Sequence, residues 1–292
     1  MTDIELLKKL GEEIKGDLEF NEETLEKYSR DASLLKVVPH AVVWPKDLAD
    51  VQKVILFVNE NKKDFPWLSI TARAAGTCMS GGAIGEGIIL DTTKYMNAES
   101  VDMDQLEATV EPGLFFRDFE KETLPIHISL PVYPASKSLA ALGGMIMNNC
   151  GGEKTLRYGQ INNFVNEVVM TLADGNNYTF KKLNREELDK KLAQTDYEGE
   201  IYNKIYNLIT ENYDEIMAAK PITSKNSAGY LLWNVYDKEA DTFDLTQLFT
   251  GSQGTLGIMA EAKVRLIETR EHKKLVVLFL KKWQGLPDIV NK

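Results

Sequence analysis

Apolar residues recur at helical spacing at the start of the chain. Ile4, Leu6, Leu7 and Leu10 share one face, and a weaker version of the pattern runs over residues 18–28, so the first 30 residues read as helices. A short apolar run, Ala41-Val42-Val43-Trp44, is stopped by Pro45 and reads as a strand. Asp47 then stands as an N-cap for a helix whose buried face holds Val51, Val54, Ile55 and Val58. Strands follow at residues 68–71 and 87–91, separated by a loop of small residues; this order predicts a small mixed α/β unit.

The middle of the chain predicts a second unit. Residues 107–110 read as a strand, 115–121 as a helix and 138–147 as a short helix containing Gly143-Gly144. Residues 166–180 form two β-rich arms around Asp174-Gly175, the signature of a hairpin. Helical patterns cover 185–193 and 200–218. In residues 260–267, Glu261, Lys263 and Arg265 alternate with Ala262, Val264 and Leu266, which is a half-buried strand. Near the end, Leu275-Val276-Val277-Leu278-Phe279-Leu280 is unbroken and apolar, the pattern of a strand buried on both faces. It either joins the preceding sheet or begins a further domain.

Composition narrows the function. The 292 residues are 43% hydrophobic and 27% charged, which is that of a folded globular chain. The formal net charge of −10 leaves no basic patch for nucleic acid. No apolar run approaches the roughly 20 residues of a membrane span, and the charged N-terminus has no signal-peptide pattern. Cys78 and Cys150 make no disulfide framework, which points to a reducing cytoplasm. Three scattered histidines, His40, His127 and His272, offer no metal-ligand spacing.

The chemistry lies in four glycine-rich stretches. In residues 71–83, TARAAGTCMSGGA, eleven of thirteen residues are small or hydroxylic if Cys is counted as small. Such a segment either turns successive N–H groups toward an oxyanion such as pyrophosphate or is a tight surface loop. Pro134-Ala135-Ser136 leads into two Gly-Gly pairs, Gly143-Gly144 and Gly151-Gly152, with Asn148-Asn149-Cys150 between them; Arg157-Tyr158-Gly159 closes this stretch. Gly costs roughly 1 kcal/mol inside a helix relative to Ala, so paired glycines imply close packing or a ligand. The third stretch is KNSAGY at 225–230. The fourth is GSQGTLGI at 251–258, which is neither a Walker loop nor a dinucleotide fingerprint. Together they point to one extended ligand that carries phosphate.

In order and spacing these stretches resemble the FAD-binding (PCMH-type) domain of the vanillyl-alcohol oxidase family, in the branch of glycolate oxidase subunits, D-lactate dehydrogenases and D-2-hydroxyglutarate dehydrogenases. The resemblance covers roughly residues 31–267: PHAVVWP at 39–45 is similar to the family's opening strand, and GSQGTLGI to its most distinctive signature. It implies an α+β fold of two α/β subdomains with FAD between them. The corresponding division is helices at 1–30, a first FAD-binding subdomain at 31–100, a second at 101–268, and the start of a missing or truncated cap domain at 269–292. Ala74, Ala75, Gly76, Thr77, Cys78, Ser80, Gly81 and Gly82 would wrap the pyrophosphate. Pro134, Ala135, Ser136, Ala141, Gly143, Gly144, Asn148, Asn149, Gly151, Gly152, Tyr158 and Gly159 would line the flavin and ribityl chain. Gly254, Thr255, Gly257 and Ile258 would make main-chain contacts beside the isoalloxazine or adenine.

The sequence departs from the family pattern in places. Ala74 and Ala75 stand where glycines are commoner, Cys78 for a serine, Ala141 for a threonine and Gln253 for a glutamate. No histidine of the kind used for covalent flavin attachment lies in the loop, so FAD is expected to be non-covalent. No substrate base and no metal ligand set is nominated. Arg73 could hold the pyrophosphate or pair with a surface carboxylate, while Cys150 and His127 read as packing residues. The implied activity is oxidation of a small 2-hydroxy acid such as D-lactate, glycolate or D-2-hydroxyglutarate, with electrons passed to an unidentified acceptor. The alternatives are an FAD-binding module that needs a cap or partner chain, and a flavoenzyme resembling UDP-N-acetylenolpyruvoylglucosamine reductase.

Overall fold

The computed structural model describes residues 2–223, 225–269 and 274–290. The first unit is a four-stranded sheet. Its strands are β1 (Asp17–Glu19), β2 (Ala41–Trp44), β3 (Ile70–Arg73) and β4 (Ile88–Asp91), in the order β1-β2-β4-β3. β2, β3 and β4 are parallel and β1 is antiparallel to β2. Every residue of β2 and β4 is buried, because both faces of the sheet are covered. Val43, Ile88 and Leu90 face Leu6, Leu10, Val51, Val54 and Val58 of the helices Asp3–Glu13 and Leu48–Asn61. Val42, Trp44 and Ile89 face Tyr28, from the helix Glu22–Tyr28.

The helical reading of residues 18–28 is corrected at its start. Asp17–Glu19 pairs with β2 as a strand, and the helix begins only after Asn21, whose side chain caps the N–H of Thr24. The N-terminal segment is tied to the sheet by a buried carboxylate. Asp50 Oδ1 accepts from the N–H of Lys15 at 2.9 Å, and Oδ2 from those of Gly16 at 2.8 Å and Lys46 at 3.0 Å. The strand read at 68–71 forms two residues later, at Ile70–Arg73, with Leu68 packing in the core ahead of it.

The second unit is a seven-stranded antiparallel sheet. Its strands are β5 (Glu99–Asp102), β6 (Glu107–Val110), β8 (Val165–Thr171), β9 (Asn177–Leu183), β10 (Tyr236–Asp237), β11 (Thr242–Asp244) and β12 (Ile258–Arg265), in the order β10-β11-β9-β8-β12-β6-β5. A separate pair joins β7 (Ile128–Ser129) to β13 (Ile267–Glu268). The hairpin of β8 and β9 forms as the sequence predicts, with Gly175 at φ +80° in its turn. Ala108, Val110, Val168, Met170, Phe180, Ala262 and Val264 turn to one face and join a single large core with the helices packed there. Glu107, Glu167 and Lys263 turn to the other face. β12 starts at Ile258, two residues before the strand read at 260–267.

Three further expectations change. The helix read at 138–147 is confined to Leu142–Met147, because residues 136–140 are held in turns on the carbonyls of Pro134 and Ser136. The pattern at 200–218 breaks at Asn212 into helices Tyr197–Glu211 and Tyr213–Ala218. The apolar run 275–280 forms no strand: no partner among the described residues takes its backbone groups, and Leu275 and Phe279 are about nine-tenths exposed.

The two sheets are bound to each other by side chains of the helix Leu48–Asn61. Gln52 Nε2 donates to the carbonyl of Gly175 at 2.9 Å and Asn59 Nδ2 to that of Ala173 at 2.5 Å, fastening the β8–β9 turn to the first unit.

Asp50→Ala would remove the buried acceptor of three part-buried N–H groups. At about 1 kcal/mol or more for each such group, we expect a loss on the order of 3 kcal/mol, read from the shift of the urea midpoint; an unchanged midpoint would show that the carboxylate is not the tie it looks to be. The thiols give a second check. Cys150 is buried in the larger core and its thiol is pushed up to about 12 by burial, whereas Cys78 is half-exposed. A thiol reagent at pH 8 should label one cysteine in the native chain and two after denaturation. Labelling of both in the native state would mean that the region around Cys150 opens.

Candidate functional site

A cleft lies between the two units. The first unit contributes the end of β3 (Ala72, Arg73), the loop that follows it (Ala74 to Cys78, Gly82, Ala83) and Thr92 just past β4. These are the carboxyl ends of parallel strands, where open α/β sheets collect ligands. The second unit contributes Pro112, the helix Leu142–Met147 with its flanks, the loop holding Gln253 and Gly254, and the first residues of β12.

The walls come close because their facing residues are small. A Cβ added to Gly144 would lie 3.6 Å from the Cβ of Ala74, and one added to Gly254 would lie 3.4 Å from that of Ala72. The second unit's wall is built around the short helix. At its start, the N–H groups of Leu142 and Gly143 donate to the carbonyls of Leu114 at 2.8 Å and Pro112 at 2.9 Å. A Cβ at Gly143 would sit 2.7 Å from that Pro112 oxygen, so only glycine allows this approach. At its end, the carbonyls of Ile146 and Met147 accept from the N–H groups of Gly251 at 3.2 Å and Gln253 at 2.9 Å. The stretch at 251–258 is therefore the cap of this helix, and then runs directly into β12.

Of the residues assigned to the cofactor from the sequence, thirteen stand on the cleft wall: Ala74, Ala75, Gly76, Thr77, Cys78, Gly82, Ala141, Gly143, Gly144, Asn148, Gly254, Gly257 and Ile258. Others stand back from it. Ser80 and Gly81 are at the loop's outer bend, with Ser80 Oγ 3.2 Å from Cys78 Sγ. Pro134, Ala135 and Ser136 form the turn before the helix, and Ser136 accepts from the N–H groups of Leu139 and Ala140. Asn149, Gly151 and Gly152 form the turn after it, where Gly152 donates its N–H to Thr155 Oγ1 at 2.8 Å. Tyr158 packs on Phe164, Gly159 ends the helix Thr155–Tyr158, and Thr255 Oγ1 accepts from Tyr230 at 2.8 Å. Lys225 to Tyr230 form a strap beside this turn: Gln160 accepts the N–H of Asn226 and donates to Ser227 Oγ and to the carbonyl of Asn149.

Sequence reasoning missed Ala72, Thr92, Pro112, Met147 and Met259 on the wall. A signal existed for Ala72, which is adjacent to the small-residue loop. The others carry no distinguishing pattern and come to the cleft only through strand ends and helix packing. Neither described histidine reaches the cleft wall: His40 stacks on Trp67 at 4.2 Å and donates to the carbonyl of Glu86, and His127 caps a turn at φ +60°. His272 lies outside the described residues. Among the described residues no cluster of His, Cys, Asp and Glu could hold a metal ion, and no helix is long and apolar enough to cross a membrane.

The electrostatics of the cleft are simple. Arg73 is the one charged residue on its wall among the described residues, in a chain of net charge −10. The remaining polar groups there are backbone amides, Thr77, Thr92, Asn148 and Gln253, with the Cys78 thiol. Such a wall can hold an elongated ligand with apolar and anionic parts through main-chain contacts.

Residues 39–181 match the family described as FAD binding domain. Among curated proteins, the chain is 29% identical over 254 residues to the D-2-hydroxyglutarate dehydrogenase of Escherichia coli (strain K12), covering 85% of this chain and 24% of that protein. It is also 29% identical over 241 residues to the D-lactate dehydrogenase of Archaeoglobus fulgidus, covering 82% of this chain and 41% of that one. The chain thus spans about a quarter to two-fifths of the length of these two relatives. Among solved structures, alkyldihydroxyacetonephosphate synthase superposes with a TM-score of 0.63 at 17% identity, over 93% of this chain and 42% of that one, which is a likeness of fold. The cleft between two α/β units, its glycine-rich walls and these matches agree: residues 39–181 are similar to the FAD binding domain family, and the fold is like that of alkyldihydroxyacetonephosphate synthase.

Proposed function

We propose that this chain is the FAD-binding part of an oxidoreductase acting on a small 2-hydroxy acid of the D-lactate, glycolate or D-2-hydroxyglutarate class. The observation that carries the reading is the cleft itself: one wall and the short helix of the other come from residues 39–181, which match the FAD binding domain, and residues 253–259 complete the second wall. The positions that face each other across it, Gly144 and Ala74, and Gly254 and Ala72, are ones where larger side chains would close it. FAD, when bound, supplies the two-electron acceptor for the hydroxy acid.

The chain's own residues have binding and positioning roles. The amides of residues 74–78 and 82 would cradle the pyrophosphate, with Thr77 as a hydroxyl donor and the Arg73 charge beneath them. Gly143, Gly144 and Asn148 would lie along the flavin and ribityl side, and Gly254, Gly257 and Ile258 along the facing side. We place Pro134, Ala135, Ser136, Asn149, Gly151, Gly152, Tyr158, Gly159 and Thr255 behind these walls as supports. The division into subdomains at residues 31–100 and 101–268, with 1–30 docked on the first, is part of the same proposal. Attachment is proposed to be non-covalent, in keeping with a wall that carries no histidine among the described residues. A second reading is favoured by length: the chain covers less than half of each relative described above, so turnover could require parts of the protein that this sequence does not contain.

Absorption spectroscopy tests the first step. The protein with added FAD should retain bands near ~450 nm after desalting. Anaerobic D-lactate, glycolate or D-2-hydroxyglutarate should then bleach them. Retained bands without bleaching would favour the second reading, and rapid bleaching by NADPH alone would overturn the 2-hydroxy-acid assignment. Gly144→Leu, which fills the cleft toward Ala74, should weaken FAD binding about tenfold or more without lowering the melting temperature of the apoprotein. Undiminished binding would place the cofactor elsewhere.

A further inference from the structure

Arg73 stands on the cleft wall, yet its side chain does not simply face the opening. Nη1 donates to the carbonyl of Arg30 at 2.9 Å and to that of Ala83 at 3.1 Å. The guanidinium carbon lies 5.0 Å from the ring centroid of Tyr28, in cation–π contact. Its backbone is fixed as well: the Arg73 carbonyl accepts from the N–H of Thr92 at 3.0 Å. The side chain therefore joins the last residue of β3 to Ala83, ten positions on, and both to the N-terminal segment.

The partners of Arg73 are themselves held. The Tyr28 hydroxyl donates to Asp91 Oδ2 at 2.7 Å and accepts from Trp44 Nε1 at 3.1 Å. Burial, and then the Asp91 charge, hold this phenol far above its usual range, so it remains a donor. Asp91 is the β4 partner of Arg73 in the parallel register. On the loop side, Gly76 has φ +66°, and a Cβ there would lie 2.5 Å from Arg73 Nη2. The loop thus lies directly on the guanidinium, and glycine at this position permits it. Arg73 makes no ion pair among the described residues, so its charge is not cancelled by a neighbouring carboxylate.

We propose that Arg73 is a positioning residue for the FAD pyrophosphate: it staples the 74–83 loop into its binding shape against Tyr28 and Arg30, and supplies positive charge from beneath the loop. The proposal rests on the FAD reading above. It makes the N-terminal segment, through Tyr28 and the Arg30 carbonyl, a part of the cofactor site. Lysine cannot replace arginine here, because two carbonyls and a ring face are met by one planar fork.

The test is FAD titration of the apoprotein, followed by flavin fluorescence, in wild type, Arg73→Lys, Arg73→Met and Gly76→Ala. If the wild type binds no FAD, the FAD reading itself fails. If it binds, Arg73→Met should weaken binding roughly 10–100-fold, as the loss of hydrogen bonds from a charged group implies; Arg73→Lys should recover only part of this. Added ethylguanidinium should restore binding to Arg73→Met and leave the wild type unchanged, a rescue that general destabilisation would not show. Should Arg73→Met fail to fold, Gly76→Ala probes the same contact from the loop: it should weaken FAD binding while the apoprotein, though melting lower, stays folded at the titration temperature. Wild-type affinity in Arg73→Met, or in Gly76→Ala where Arg73→Met does not fold, or loss of affinity that ethylguanidinium leaves untouched, would overturn the proposal.

Discussion

Two carbonyl groups at the end of a six-residue helix hold the cleft in shape. Ile146 and Met147 have no partners within Leu142–Met147; the Ile146 carbonyl accepts the N–H groups of Asn149 and Gly251, and the Met147 carbonyl that of Gln253. A helix this short is not stable alone, and a carbonyl such as that of Met147 left without a partner away from water would cost about 1–3 kcal/mol. The loop at 251–258 is thus fixed about a hundred residues from the helix it caps. Because it continues into β12, between β8 and β6 in its sheet, the wall is anchored to the centre of the second unit.

The first unit meets this wall with a different kind of support. Its loop at 74–83 leaves one parallel strand and returns to another, so its ends are set by the register of β3 with β4. Between those ends it is shaped by side chains, chiefly Arg73 lying under Gly76 and bonded to Ala83. One wall is therefore held by backbone capping and the other by a cation stacked on a ring. The bonds of Gln52 and Asn59 to the β8–β9 turn keep the two units together. The cleft follows from small residues facing each other where the two structures meet.

Several features could be read before folding because they are local. The Asp47 cap, the β8–β9 hairpin and the wholly buried strands β2 and β4 follow from spacing and from turn residues. The glycine-rich stretches could be picked out because main-chain binding demands small residues whatever the fold. Residues 17–19 and 275–280 show the limit. Asp17–Glu19 became a strand because β2 offered an edge beside it, while the strongest apolar run in the chain has no neighbour to pair with among the described residues.

The sequence by itself thus determined where chain reversals, caps and close backbone approaches must fall, since these depend on the conformational range of individual residues. The tertiary structure decided which of them share a site. Pro134 to Ser136 and Gly151-Gly152 carry the same kind of signal as Gly143-Gly144, yet they turn behind the wall. Thr92, Pro112 and Met147 carry no signal and stand on it. Tyr28 and Arg73, forty-five positions apart, meet only because β3, β4 and the helix before β2 are packed as one layer. Such contacts depend on the register of distant strands, which no local pattern encodes.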